Sequence, residues 1–243
     1  MSGARVTNTR LAQSMGSLAI TLDDADDFAA ALARQTCLDG HDAPPIETAL
    51  ARWRWQASPD RTGVLVYDLP RSSLSTGWAW VRVGAEYRQP AVMLRQGEKG
   101  RERRGAIGHE AGHIVIATLA LDLAPGVHEE RWCNRFSAAW HAPAELVRRA
   151  WVRSRASGER VGSIIRTLPP TSLALRLGEV GCASVAVLRR ERVLYMAGPL
   201  VLPANDIAPL ARIALRVGRA EGDGLRAFRL ADGADRVAVM LAA

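Results

Sequence analysis

The sequence predicts an α+β protein: a short antiparallel sheet packed on a helical lobe, followed by a small α/β C-terminal unit. Three observations carry this prediction. Three runs between residues 63 and 95 are rich in β-branched or aromatic residues and are bounded by Gly, Pro or Ser. From Ala106 to about residue 180 the pattern is helical. Beyond Cys182, two hairpin-like segments flank one amphipathic stretch.

The elements follow in order. A first helix is expected over 26–35, with Phe28, Ala31 and Leu32 on one side. The Gly and Pro residues of 40–45 break it, and a second helix restarts at Pro45 and runs to about Gln56. The strands are 63–68, 77–83 and 90–95, and a charged connection fills 96–105. Helices are expected over 106–121, 128–141, 144–156, 159–167 and 170–178, punctuated by Pro125-Gly126, Pro143 and Pro169-Pro170. The remainder reads as a hairpin (183–188 and 192–197), a helix (206–218) and a second hairpin (225–230 and 236–241). This divides the chain into a domain of 1–180, whose 144–180 portion is a basic, helix-turn-helix-like lobe, and a ββαββ sub-domain of 181–243.

Composition excludes several classes. A chain of 243 residues suits one large domain or two small ones. With 48% hydrophobic and 23% charged residues it is not disordered, collagen-like or coiled-coil. Cys37, Cys133 and Cys182 form no CxxC pair, which excludes a zinc ribbon and a thioredoxin motif. No apolar run approaches the ~18–20 residues of a membrane span. No secretory signal is evident at the start, so a soluble cytoplasmic protein without membrane contact is expected. The net charge is +7, and Lys99 is the only lysine among the basic residues. Such a balance favours solubility and weak association with anionic partners.

The chemistry is concentrated at 109–143. His109-Glu110-Ala111-Gly112-His113 is an HExxH motif. On a helix, residues i and i+4 lie one turn apart and differ by about 40° in direction, so both imidazoles reach one metal. Glu110 projects about 100° round from His109, close enough to act as general base toward a water at that metal. A zinc site of this kind needs a third protein ligand. The extended HExxHxxGxxH pattern is excluded, because Ile116 and Leu119 stand where Gly and His would be required. The alternative is a carboxylate from the next helix, where Glu129 and Glu130 both qualify on geometry.

At this point the sequence resembles a known family. The segment 130–143, ERWCNRFSAAWHAP, is similar to E-x-x-A-N-x-F-A-A-x-x-x-x-P of the ImmA/IrrE zinc metallopeptidases. The preceding HEAGH resembles that family's HE-x-G-H at comparable distance. The order of strand, arginine-rich segment and zinc helix is also similar, as is PTSLALRLGEV at 170–180. The resemblance implies Zn²⁺ held by His109, His113 and Glu130, with Glu110 as the catalytic base. It implies a zinc-dependent endopeptidase whose protein substrate is a DNA-binding transcriptional repressor of a mobile element or stress response.

Other residues are weighed beside these. Asn134 is a candidate for orienting a group near the ligands. His141 is a candidate cleft residue, although it lies eleven residues beyond Glu130, about 16 Å along a helix. Tyr67, Tyr87 and Arg135 are candidates for steadying an oxyanion. Arg148, Arg149, Arg153, Arg155, Arg160 and Arg166 make 144–180 basic, which suits weak DNA contact. The competing reading is a non-catalytic regulator with a structural or vestigial zinc site that binds DNA or a protein partner.

Overall fold

The computed structural model describes residues 19–36, 45–52, 63–70, 79–82, 90–97, 100–119, 121–154, 158–231 and 235–242. The mixed helix-and-sheet prediction agrees with it: the described residues form eight helices and two sheets. The expectations for Cys37, Trp53, Tyr87 and Arg155, and for the ends of the strand over 77–83, lie outside the described residues. The chain divides into two compact units, Met1–His141 and Ala142–Ala243. No described helix is long and apolar enough to cross a membrane.

The first unit opens with α1 (Asp24–Thr36) and α2 (Ile46–Arg52). Asp24 accepts hydrogen bonds from both the backbone N–H and the hydroxyl of Thr21, at 2.6 and 2.8 Å. Asp24, Asp26 and Asp27 crowd the first turn, where the helix dipole favours negative charge. Ala25, Phe28, Ala29 and Leu32 form the buried face.

Next come β1 (Leu65–Leu69), β2 (Ala79–Arg82) and β3 (Ala91–Arg95), in the spatial order β1-β3-β2. The sheet is mixed, not antiparallel as expected: β2 pairs antiparallel with β3, but β1 pairs parallel with it. The physical reason is the order. β3 inserts between β1 and β2, so the strand that turns back on β2 recovers the direction of β1. As the central strand, β3 is buried from Ala91 to Leu94, whereas β1 is largely exposed.

Helix α3 (Gly100–Leu119) follows. It begins earlier than expected, because 100–105 is a first turn and a half of helix instead of a connection. Arginine and glutamate are good helix formers when solvated, and Arg103 is drawn to Asp68 on β1 and, at 3.8 Å, to Glu47 on α2. Helix α4 (Glu129–His141) completes the unit. Its Trp132 stacks on Phe136, meets Phe28 edge-on and donates its indole N–H to the carbonyl of Thr21 at 3.0 Å.

The second unit starts with α5 (Ala144–Arg153), α6 (Gly158–Ile164) and α7 (Pro170–Glu179). An antiparallel sheet follows, in the order β5-β4-β8-β7-β6, built from β4 (Ala183–Arg189), β5 (Arg192–Ala197), β6 (Arg219–Gly222), β7 (Leu225–Arg229) and β8 (Arg236–Ala242). Helix α8 (Ala204–Val217) covers one face, its Ile207, Ala211 and Ala214 meeting Ala186, Leu188, Ala227, Val237 and Val239. Alternation leaves Val185 and Val187 for the opposite face.

Helix α7 packs on β4 and β5, so close that a Cβ on Gly178 would stand 2.6 Å from the Ala197 backbone. The helices of 144–180 therefore sort with the C-terminal unit, whereas the sequence reading ended its first domain at 180. The strand β6 is additional to the expected ββαββ pattern. Its polar Arg-Ala-Glu-Gly sequence hides it, yet Asp223 and Gly224 both have positive φ and make the tight turn that Asp-Gly favours between strands.

Candidate metal centre

Helices α3 and α4 lie antiparallel, joined by a turn through Pro125 and Gly126. The connection is fastened to the segment before α1: Ile20 bridges Leu123, and its N–H and C=O bond Asp122 and Ala124, both at 2.8 Å. Small residues then let the helix axes approach. A Cβ on Gly112 would meet the Cα of Cys133 at 2.9 Å, and one on Gly108 would clash with the Ser137 hydroxyl. Further along, the Ser137 hydroxyl donates to the carbonyl of Gly105 at 3.0 Å, and His141 Nε2 donates to that of Arg104 at 2.9 Å.

This packing brings the first turn of α4 over the histidines. His109 Nε2 and His113 Nε2 are 3.2 Å apart. One oxygen of Glu130 lies 3.1 Å from His109 Nε2 and the other 3.4 Å from His113 Nε2. The outer nitrogens are held from the other side. His109 Nδ1 donates to Asn134 Oδ1 at 3.0 Å, and His113 Nδ1 donates to Glu129 Oε1 at 2.6 Å. With the protons on Nδ1, the lone pairs of both Nε2 atoms face the carboxylate of Glu130.

The donor set fits a divalent ion. Two imidazoles and one carboxylate offer ligand atoms that all lie within 4.8 Å of one another. In a tetrahedral site with bonds of about 2.0–2.1 Å, neighbouring ligand atoms stand about 3.3 Å apart; the two Nε2 atoms, at 3.2 Å, match that spacing, and each has one Glu130 oxygen at 3.1 or 3.4 Å. Glu130 remains largely exposed, so the cluster is open on one side. Zinc, as the sequence resemblance implies, is one ion with this ligand preference.

No family model matches the sequence, and no curated protein matches it. Among solved structures, the fold is similar to that of a Mycobacterium tuberculosis transcriptional regulator, with 15% sequence identity and a TM-score of 0.57. The match covers 91% of this chain and 80% of that one. At that identity the likeness concerns the fold.

Glu110 is buried on α3, one residue beyond His109. Burial lifts its carboxyl to about 7, against the pull of His113, and Glu130 adds to the rise. A cation in the cluster would act in the opposite direction. Burial also holds the His109 imidazole below its usual value, with His113 adding to the effect. Cys133 is wedged against Gly112, and burial, reinforced by Glu129 and Glu130, pushes its thiol far up, which suits packing and not redox chemistry.

The structure separates the remaining candidates. Asn134 contacts a clustered histidine directly. His141 is buried three turns away and docks the C-terminal end of α4 on α3. Arg135 is engaged with Asp23 and Asp26, at 2.8 and 2.9 Å, and so ties α4 to α1. Tyr67 lies exposed on β1. Sequence reasoning missed the roles of Gly108 and Gly112. Their i, i+4 spacing inside and before the motif, opposite Cys133 and Ser137 at the same spacing, is the signal that could have revealed a close helix crossing.

Proposed function

We propose that the chain is a zinc-dependent endopeptidase of the ImmA/IrrE type, acting in the cytoplasm on a specific protein target, with a DNA-binding transcriptional repressor as the target class. The observation that carries the reading is the convergence of His109, His113 and Glu130 beside a buried carboxylate on the same helix, Glu110. The match to a transcriptional regulator is compatible with regulatory use of this fold.

Zinc, when bound, supplies a Lewis acid that acidifies water and polarises a carbonyl oxygen. The protein does the rest. Asn134 and Glu129 hold the imidazole rings with their Nε2 lone pairs inward. Glu110 takes the proton of the attacking water and delivers it to the leaving amine nitrogen. The test compares wild type with Glu110→Gln, both loaded with one zinc per chain, on DNA-binding proteins extracted from the host. New N-termini that appear with wild type and fall by about 100-fold or more in the variant support the mechanism. Equal cleavage by both, or cleavage by neither, overturns it.

A second reading is a non-catalytic regulator that binds DNA through the second unit. It is favoured by Arg148, Arg149 and Arg153, which are exposed on α5. Salt-dependent DNA binding, undiminished by Glu110→Gln and weakened by loss of these arginines, would carry it.

A further inference from the structure

We infer that Glu129 is a positioning residue for the metal centre, and not an alternative ligand: it anchors His113 through Nδ1 and thereby sets the strength of the site. The inference rests on the metal reading above and deepens it.

The argument starts from the two nitrogens of one ring. Nδ1 and Nε2 of an imidazole point to different sides, so a group bonded to Nδ1 is turned away from an ion at Nε2. Glu129 Oε1 lies 2.6 Å from His113 Nδ1. Glu130 faces the Nε2 side, with oxygens 3.1 and 3.4 Å from the two Nε2 atoms. Consecutive residues on a helix differ by about 100° in direction, so the first turn of α4 straddles the His113 ring with one carboxylate on each side. Glu129 is absent from the group whose ligand atoms converge, and Glu130 is in it.

The two histidines are also held unequally. His109 is anchored by a neutral amide at 3.0 Å and His113 by a carboxylate at 2.6 Å. Either partner fixes the tautomer and holds the ring, and the charged carboxylate makes the stronger hydrogen bond. His113 is thus the more firmly held ring of the pair. Glu129 is half-exposed at the helix start, so its removal takes little from the packing of the unit. Its short bond to a histidine is therefore separable from fold stability.

The test uses the full chain and Zn²⁺ alone, in competition with a chromogenic chelator. Wild type is compared with Glu129→Gln, Glu129→Ala and Glu130→Ala, alongside visible spectra of the Co²⁺-loaded proteins. The expected result is weaker zinc binding, by about tenfold for Glu129→Gln and up to about 100-fold for Glu129→Ala. Both should keep the wild-type Co²⁺ band positions and intensity, since the ligand set is unchanged, while Glu130→Ala alters them. A far-downfield exchangeable proton of His113 Nδ1–H, present in wild type, should be lost in Glu129→Ala. Wild-type zinc affinity in both Glu129 variants overturns the inference, and so does a Co²⁺ spectrum changed as in Glu130→Ala, which would make Glu129 a ligand. Either result leaves the peptidase reading standing. Zinc binding that depends on Glu129 without any proteolysis would sink the peptidase reading and leave this one. Failure of wild type to bind zinc at all overturns both.

Discussion

Gly112 lies directly against Cys133: a Cβ on the glycine would stand 2.9 Å from the cysteine Cα and 3.0 Å from its Cβ and Sγ. The contact is made with backbone as well as side chain, so no rotamer change relieves it. It sets the separation of α3 and α4 beside His113, and with it the reach of Glu130.

Gly112→Ala should force the helices apart. The alanine gains up to about 1 kcal/mol of helix propensity, but overpacking against a fixed backbone costs about 1–3 kcal/mol, so net destabilisation and weaker zinc binding are expected. Gly105→Ala on the same helix is the control. Among the described residues, nothing outside its chain neighbours and its own helix's backbone lies within 4 Å of its added Cβ, so a neutral or raised Tm is expected. Thermal melts and zinc titration of both variants check the pair, and equal behaviour would contradict the close crossing.

Metal removal should lower Tm. An ion that binds only the folded cluster adds about 2.7 kcal/mol at 100 times its Kd. Wild-type protein should therefore melt at lower temperature after chelation and recover with Zn²⁺. His113→Ala, which lacks one of the three converging ligands, should show almost no response. A wild-type Tm indifferent to chelator and zinc would contradict the site.

Stability should fall on acidification through His141. Burial depresses its pKa below 6.5, and the charge of Arg104 adds to the depression against the Arg104 carbonyl hydrogen bond and Glu47. The unfolded chain then takes up the proton first, so the contribution is fully present above about pH 6.5 and is lost as pH falls toward the depressed value. His141→Gln should lose part of the Tm drop between pH 7.5 and pH 5. Parallel curves for the two proteins would show that His141 does not titrate in the fold.

Arg176 should be costly to remove. It is fully buried on α7, donates from Nε to the carbonyl of Ala142 at 3.1 Å and lies 3.4 Å from Glu179. Arg176→Ala removes a fully buried side chain and its hydrogen bond to the Ala142 carbonyl, and a loss of about 2–4 kcal/mol is expected. Urea denaturation should register it as a lower midpoint for the second unit, with the zinc affinity of the first unit unchanged. A midpoint within error of wild type would contradict the role.

Much of the site was legible from spacing alone. An HExxH on a helix dictates which side chains share a face, because helical periodicity is local and the same wherever the helix lies. The element types of both units were legible for the same reason. Less was legible where the deciding contacts are distant in sequence. The polar strand β6 acquires its identity from pairing with β7, and the parallel pairing of β1 with β3 depends on where β3 inserts.

The chain order of helices and strands, the HExxH triplet and the acidic pair Glu129-Glu130 were determined by the sequence by itself, since each follows from local pattern. Spacing alone leaves Glu129 and Glu130 open and the resemblance favours Glu130; that Glu129 instead holds His113 Nδ1 was decided by tertiary structure alone. That choice depends on how deeply α4 settles onto α3, and Gly108, Gly112, Cys133 and Ser137 set the depth by the close fit of small side chains across about 30 residues of chain.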